Sequence, residues 1–232
     1  MYIIGLLLAL ALLPGIILMI LVYKKDKIEK EPMGLLLLLF VLGVISCFPA
    51  SFIESVLSAP ISRLFGEGYF YHFVNAFIGV ALIEESCKFI FLRSFTWRNV
   101  HFNYRFDGLV YAVFVSLGFA AYENILYVFN YGFVTALYRA VISVPAHMMF
   151  GVFMGIYYGM ARHSANNFAP QHAKKVSFLA VLIPTLIHGF FNFCLFTNNA
   201  FLVIVFYAFV MGLYYIAFKN VNKHSRNDYR II

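Results

Sequence analysis

Five polar side chains that are suited to hydrolytic chemistry lie inside long apolar runs of the sequence. They are Glu84, Glu85, His147, His188 and Asn192. The glutamates and histidines lie near the middle of their runs, and a carboxylate at mid-membrane costs about 2.5–3.5 kcal/mol on insertion scales. One buried Glu or His can simply bridge two helices. Several such residues at matched depth on three runs instead indicate a functional site.

This set of residues favours activation of a water molecule. A buried glutamate can act as a general base. Asn192 follows His188 by one helical turn, so the two can present hydrogen-bond donors on one face to an oxyanion. Two Glu and two His could also ligate zinc. The apolar runs contain no Ser/His/Asp set and no HExxH or GxGD motif. The residues therefore predict hydrolysis with glutamate as the base and leave metal dependence open.

Four further residues are expected to support this set. Lys88 follows Glu84 by four positions and Glu85 by three, so it can pair with either along one helical face. Glu123 and Asn124 lie in the outer half of the fourth apolar run. Asp107 begins that run at its cytoplasmic edge, where capping of the helix is its simplest role.

The composition shows which elements must position these residues. Hydrophobic residues make up 63% of the 232 positions and charged residues 12%, against roughly 45–50% and 25% in soluble domains. A span needs about 20 apolar residues, so the chain predicts an all-α bundle in one membrane domain, 1–232. The seven predicted spans are 2–23, 33–52, 72–93, 107–129, 134–160, 176–196 and 200–218. Residues 53–71, with Pro60, Gly66 and Gly68, are predicted to form a loop.

The basic residues predict an orientation for this bundle. Of the 17 Lys and Arg, 14 fall in alternate loops and in the C-terminal tail, whereas at most two, Arg63 and Arg139, fall on the other side. The positive-inside rule then places the N-terminus outside and the C-terminus in the cytoplasm. The net charge of +7 is thus explained by topology and a lipid bilayer, without a nucleic-acid partner.

Small residues recur every four positions on two of the predicted spans. The first stripe is Gly108, Ala112, Ser116, Ala120, and the second, beginning at His147, is Gly151, Gly155, Gly159. Small residues at this spacing let membrane helices approach closely. Both faces are therefore predicted to point into the bundle.

Four sequence blocks resemble one known family. ALIEESCKF (81–89) resembles the EExxK motif of the PrsW family of bacterial intramembrane proteases. Three later runs are similar to further blocks of that family: FDGLVYAVFVSLGFAAYEN (106–124), PAHMMFGVFMG (145–155) and IHGFFNF (187–193). The related CAAX-protease and bacteriocin-immunity group carries EExxxR. Lys88 lies one position earlier than that arginine, which favours the PrsW family.

The resemblance implies a glutamic peptidase in the bacterial cell membrane that acts in envelope-stress signalling. Its substrate would be a single-span anti-sigma factor, which it would cut first, on the extracytoplasmic side. Glu84 would activate water with support from Glu85, and His147 would position that water. His188 and Asn192 would line the oxyanion site. No cofactor is expected from the resemblance, although zinc is not excluded, and a water-filled cavity open to the outside is expected.

Three other functions are compatible with the residues. A non-catalytic membrane partner, such as an immunity factor, could use the same polar cluster to hold another protein. A transporter could use the Glu/His chain as a proton relay, but the sequence has no detectable inverted repeat of the kind many transporters show. A zinc-dependent membrane hydrolase is a variant of the peptidase hypothesis, with Glu84, Glu85, His147 and His188 as ligands.

Overall fold

The computed structural model of the protein describes residues 2–197 and 199–231. The elements that these residues form are helices: α1 Tyr2–Lys25, α2 Met33–Phe65, α3 Tyr69–Val74, a π-helical segment Asn75–Ala81, α4 Leu82–Thr96, α5 Asp107–Val141, α6 Ser143–Asn166, α7 Pro170–Phe196 and α8 Ala200–Arg226. Within the described ranges, pairing of extended chain is confined to one isolated bridge between Tyr104 and Arg230. The all-helical prediction is therefore confirmed. Asn198, in the turn expected between the last two spans, lies outside the described residues.

Among the described residues, five helical segments are long and apolar enough to cross a membrane: Ile4–Lys25, Met33–Phe65, Asp107–Asn166, Pro170–Phe196 and Ala200–Arg226. The third of these, 60 residues long, contains both α5 and α6. The chain is thus a helical membrane protein. The count of seven spans and the orientation of the termini stay predictions.

The prediction of a loop at 53–71 is wrong for most of its length. Helix α2 continues through Pro60 to Phe65, and α3 begins at Tyr69. The break is made by Gly66 and Gly68, whose φ angles of 66° and 132° are accessible mainly to glycine. The polar residues of this stretch therefore extend a helix, and Glu54 lies on that helix.

The predicted fifth span, 134–160, begins too early. Gly132, with φ 79° and ψ −162°, breaks the helical path of α5, and residues 133–141 form a further helical segment before α6 begins at Ser143. His147 is consequently the fifth residue of α6 and lies near the start of that helix, not at its middle. This places it toward the end of the bundle where α5 meets α6.

The two stripes of small residues point into the bundle as predicted, and in the structure they also face each other. A Cβ on Gly155 would overlap the backbone of Leu109, and one on Gly151 would lie 2.9 Å from Ser116 Oγ. The same close approach joins α2 to α5, where a Cβ on Gly118 would overlap the Phe40 carbonyl. These contacts place α5 at the centre of the bundle, buried along most of its first half.

Asp107 was expected to cap its own helix, but its side chain does not do so. Its Oδ2 accepts hydrogen bonds from the backbone N–H groups of Asn103 and Tyr104, 3.0 and 2.7 Å away, in the turn that precedes α5. Nearby, Tyr111 donates to Glu31 Oε2 at 2.7 Å, and burial raises the pKa of the Glu31 carboxyl to about 7. Asp107 therefore fixes the loop that leads into α5, at the end of that helix remote from Glu123.

Candidate active site

Helices α4, α6 and α7 bring four of the five predicted catalytic residues into one network. The π-helical segment directly before α4 shifts the helical register just before Glu84 and Glu85. Gly189 allows α7 to approach this segment, because a Cβ there would overlap the ring of Phe77. His188, the neighbour of Gly189, is thereby brought against α4.

The ammonium group of Lys88 lies at the centre of the network. Its Nζ donates to Glu85 Oε1 at 2.7 Å and to Glu84 Oε2 at 3.2 Å, and it faces His147 Nδ1 at 3.3 Å. The Lys88 side chain is fully buried and lies over the Phe119 ring, 4.1 Å from its centroid. Because an ammonium group can only donate, His147 Nδ1 accepts this hydrogen bond.

The two adjacent glutamates have different environments. Glu85 has no exposed side-chain surface, and its Oε1 also accepts a hydrogen bond from His188 Nδ1 at 3.0 Å. Glu84 retains slight exposure and uses Oε2 for Lys88. Its Oε1 makes no hydrogen bond to any residue that the structure describes. One carboxylate is thus enclosed, and the other has an oxygen available.

A second polar group holds the far side of His147. His147 Nε2 lies 3.0 Å from Glu123 Oε2 and, since Nδ1 is an acceptor, Nε2 carries the proton and donates. Glu123 Oε2 also accepts from Arg139 Nη2 at 2.9 Å. Arg139 Nε donates to Asn124 Oδ1 at 2.8 Å. Of the supporting residues, Glu123 therefore contacts the site residue His147 directly. Asn124 is linked to Glu123 through Arg139.

A cavity of about 360 Å³ adjoins this network. Five predicted residues line it: Glu84, Glu123, His147, His188 and Asn192. Glu85 and Lys88 are enclosed behind that wall. The Asn192 side chain makes no hydrogen bond within the described part of the chain, so its amide is available to a molecule in the cavity. The cavity therefore offers a free carboxylate oxygen, an imidazole and an amide on one surface.

Comparison with known proteins gives a consistent result. A sequence model of the family described as PrsW family intramembrane metalloprotease matches residues 31–218. The chain belongs to the PrsW family. It is 36% identical to Protease PrsW of Oceanobacillus iheyensis over 92% of this chain and 94% of that protein. It is 38% identical to Protease PrsW of Bacillus subtilis over 78% of this chain and 79% of that one. No solved structure gives a significant match.

Membership of the PrsW family makes the protein a membrane-embedded peptidase. The family description also names a metalloprotease, so the site needs to be tested for a metal. Glu84, Glu85 and His147 each offer a ligand atom, and these atoms lie within 4.8 Å of one another. The cation among them is already Lys88, whose Nζ contacts all three residues. A metal ion and this ammonium group would compete for the same acceptors, so this group of three residues does not fit a metal with Lys88 in place.

Two residues of the PrsW site were not expected from the sequence. Glu54 lines the cavity, and its Oε1 is buried without a partner among the described residues. It was missed because the polar stretch around it predicted a loop. The sequence places Arg139 only as a charge on the outer side, because its separation of 16 residues from Glu123 is not a helical pairing distance. Both line the same cavity as the predicted residues.

The buried ammonium group yields a stability prediction. Lys88→Met leaves two buried carboxylates without their cation, and loss of one partner of a buried ion pair costs about 3–5 kcal/mol. We expect a decrease of that size in the free energy of unfolding, measured by denaturant titration in detergent micelles. Adding Glu85→Gln should recover part of the loss, because it removes one uncompensated charge.

The matched control for this measurement is Lys175→Met at an exposed position of α7, which should change the free energy by no more than about 0.5 kcal/mol. Equal stability of the two single variants would show that Lys88 does not stabilise the fold through these contacts.

Proposed function

We propose that the protein is a glutamate-type intramembrane endopeptidase in which Glu84 is the general base. The observation that carries this proposal is the division between the two glutamates. Glu84 lines the cavity and has a free oxygen, whereas Glu85 is enclosed and bound by Lys88 and His188. A base must reach the proton that it removes, and Glu84 alone of the pair meets that requirement.

The proposed reaction begins with a water molecule in the cavity. Glu84 takes a proton from this water. At the same time the water oxygen forms a bond to the carbonyl carbon of the substrate. The carbonyl oxygen becomes an oxyanion on a tetrahedral carbon. Glu84 then gives the proton to the amide nitrogen, the C–N bond breaks, and a carboxyl and an amine product form. Lys88 beside Glu84 Oε2 holds the carboxylate in place throughout.

His188 and Asn192 were both expected to line the oxyanion site, but we propose that His188 faces the attacking water and Asn192 the reacting carbonyl. In the neutral imidazole, His188 Nδ1–H donates to Glu85, so Nε2 has a lone pair and accepts a hydrogen bond from water. The Asn192 amide, which is free in the cavity, then supplies the donor for the oxyanion. Loss of one such donor in other hydrolases costs about 100- to 1000-fold in rate.

His147 was expected to position the water, and its contacts support a less direct role. Both ring nitrogens are engaged, Nδ1 with Lys88 and Nε2 with Glu123. A water molecule could bind the ring only by displacing one of these partners. We propose that His147 acts mainly by holding Lys88 in place, and through Lys88 it orients Glu84.

We further propose seven spans, with α3, the π-helical segment and α4 together forming the third. The N-terminus would then be outside and the C-terminus cytoplasmic. The difference in basic residues between the two ends of the bundle supports this orientation. One end carries the strongly basic loops, and the other, which carries Glu123 and Arg139, has few basic residues. The cavity would open outward, on the side where the family resemblance implies the first cut in a single-span anti-sigma factor during an envelope-stress response.

The orientation is testable by labelling single cysteines in intact cells. Replacing Cys47, Cys87 and Cys194 with Ala, all buried and free, gives a cysteine-free background. Glu67→Cys, exposed after α2, should react with a membrane-impermeant maleimide in intact cells. Gln171→Cys, exposed near the start of α7, should react only after permeabilisation. The reverse pattern would contradict the proposed topology.

The assignment of the base is testable by cleavage of a single-span anti-sigma factor in proteoliposomes. Glu84→Gln keeps the shape of the side chain but cannot accept the proton, so the rate should fall by about 100- to 10,000-fold. The variant should remain folded, as judged by its thermal unfolding in micelles. Glu67→Gln, on the exposed turn after α2, is the matched control and should cleave normally.

Undiminished cleavage by Glu84→Gln would exclude Glu84 as the base. Substrate capture without cleavage by the unmodified protein would instead support the non-catalytic partner.

A further inference from the structure

The helical segment 133–141 places an arginine at the wall of the cavity. The segment follows the break at Gly132, and its residues Thr135, Tyr138 and Arg139 line the cavity. Its opposite face is exposed, with Val134 78% and Val141 63% accessible. Arg139 is only 8% exposed, so its guanidinium group is directed into the protein interior.

Two directed hydrogen bonds hold the guanidinium group of Arg139. Nη2 donates to Glu123 Oε2 at 2.9 Å, and Nε donates to Asn124 Oδ1 at 2.8 Å. The Asn124 amide is itself fixed, because its Nδ2 donates to the Ala11 carbonyl at 2.9 Å. The guanidinium carbon also lies 4.1 Å from the centroid of the Tyr127 ring. A planar fork with two acceptors and a stacking partner has little freedom to move.

Glu123 connects this arginine to the histidine of the site. Its Oε2 accepts from both Arg139 Nη2 and His147 Nε2, at 2.9 and 3.0 Å. The other ring nitrogen, His147 Nδ1, accepts from Lys88. The orientation of the Glu123 carboxylate therefore sets the orientation of the His147 ring. The ring in turn supplies the third acceptor of the ammonium group that holds Glu84.

We propose that Arg139 is a positioning residue for the peptidase reaction, acting through Glu123 and His147 to keep Lys88 against Glu84. Contacts run without a gap from Arg139 to Glu123, His147, Lys88 and Glu84. This inference rests on the proposed role of Glu84 as the base. It assigns Arg139 an effect on the chemical step, since a small misplacement of a catalytic group costs about 100-fold in rate.

The test uses steady-state cleavage of a single-span substrate by the full-length protein in proteoliposomes. Arg139→Ala should lower kcat by about 100-fold and leave KM near the wild-type value. Arg139→Lys should have an intermediate kcat, because an ammonium group keeps the charge but cannot make both directed bonds. Arg63→Ala, at an exposed position near the end of α2, is the matched control and should match wild type.

Two further measurements separate positioning from a role in packing alone. Millimolar guanidinium should restore part of the kcat of Arg139→Ala, because the ion can occupy the vacated site beside Glu123, but should not restore Glu123→Gln. The double variant Arg139→Ala/Glu123→Gln should be no slower than Glu123→Gln alone, because residues that act through one another are not additive.

Three outcomes would overturn the inference. These are wild-type kcat in both Arg139 variants, an increase in KM with unchanged kcat, or a double variant whose loss equals the product of the two single losses. Thermal unfolding of each variant shows whether it is folded. If Arg139→Ala does not fold, a wild-type kcat in folded Arg139→Lys would overturn it. Normal cleavage by Glu84→Gln would defeat the proposed function instead, so the two failures are distinguishable.

Discussion

The contact of one buried ammonium group with its three acceptors is the interaction on which the site depends. A cation in a dry interior is tolerated only when hydrogen bonds and opposite charge replace its hydration. Lys88 obtains these from Glu84 and Glu85 on its own helix and from His147 on α6, with the face of Phe119 on α5 beside it. The Lys88 ammonium group therefore fixes the position of α4 against α5 and α6, and it also orients Glu84 at the site.

This arrangement gives two neighbouring glutamates different tasks. Glu85 shares its Oε1 between Lys88 and His188 and so ties α4 to α7. Glu84 keeps one oxygen free at the cavity. In the proposed mechanism the enclosed carboxylate holds the framework while the accessible one moves the proton. The contacts through His147 and Glu123 extend this framework to Arg139 at the cavity wall.

The parts of the site that depend on local spacing were predictable from the sequence. Lys88 three and four residues from the glutamates had to share their helical face, and polar residues buried in apolar runs had to converge. Glu54 and the start of α6 were not predictable in the same way. The first required α2 to continue past residue 52 into a stretch that contains Pro60. The second depended on residues 133–141 forming a separate helical segment that ends before Ser143. The π-helical segment before Glu84 has no sequence signal of its own.

The most direct test of the central role of Lys88 is the metal dependence of cleavage. Purified protein in proteoliposomes would be assayed with a single-span substrate before and after chelation, alongside a measurement of bound metal and with Glu84→Gln as the inactive reference. Because the Lys88 ammonium group occupies the position among Glu84, Glu85 and His147, we predict an unchanged rate without stoichiometric metal. Loss of cleavage on chelation, with recovery on addition of zinc, would contradict this account.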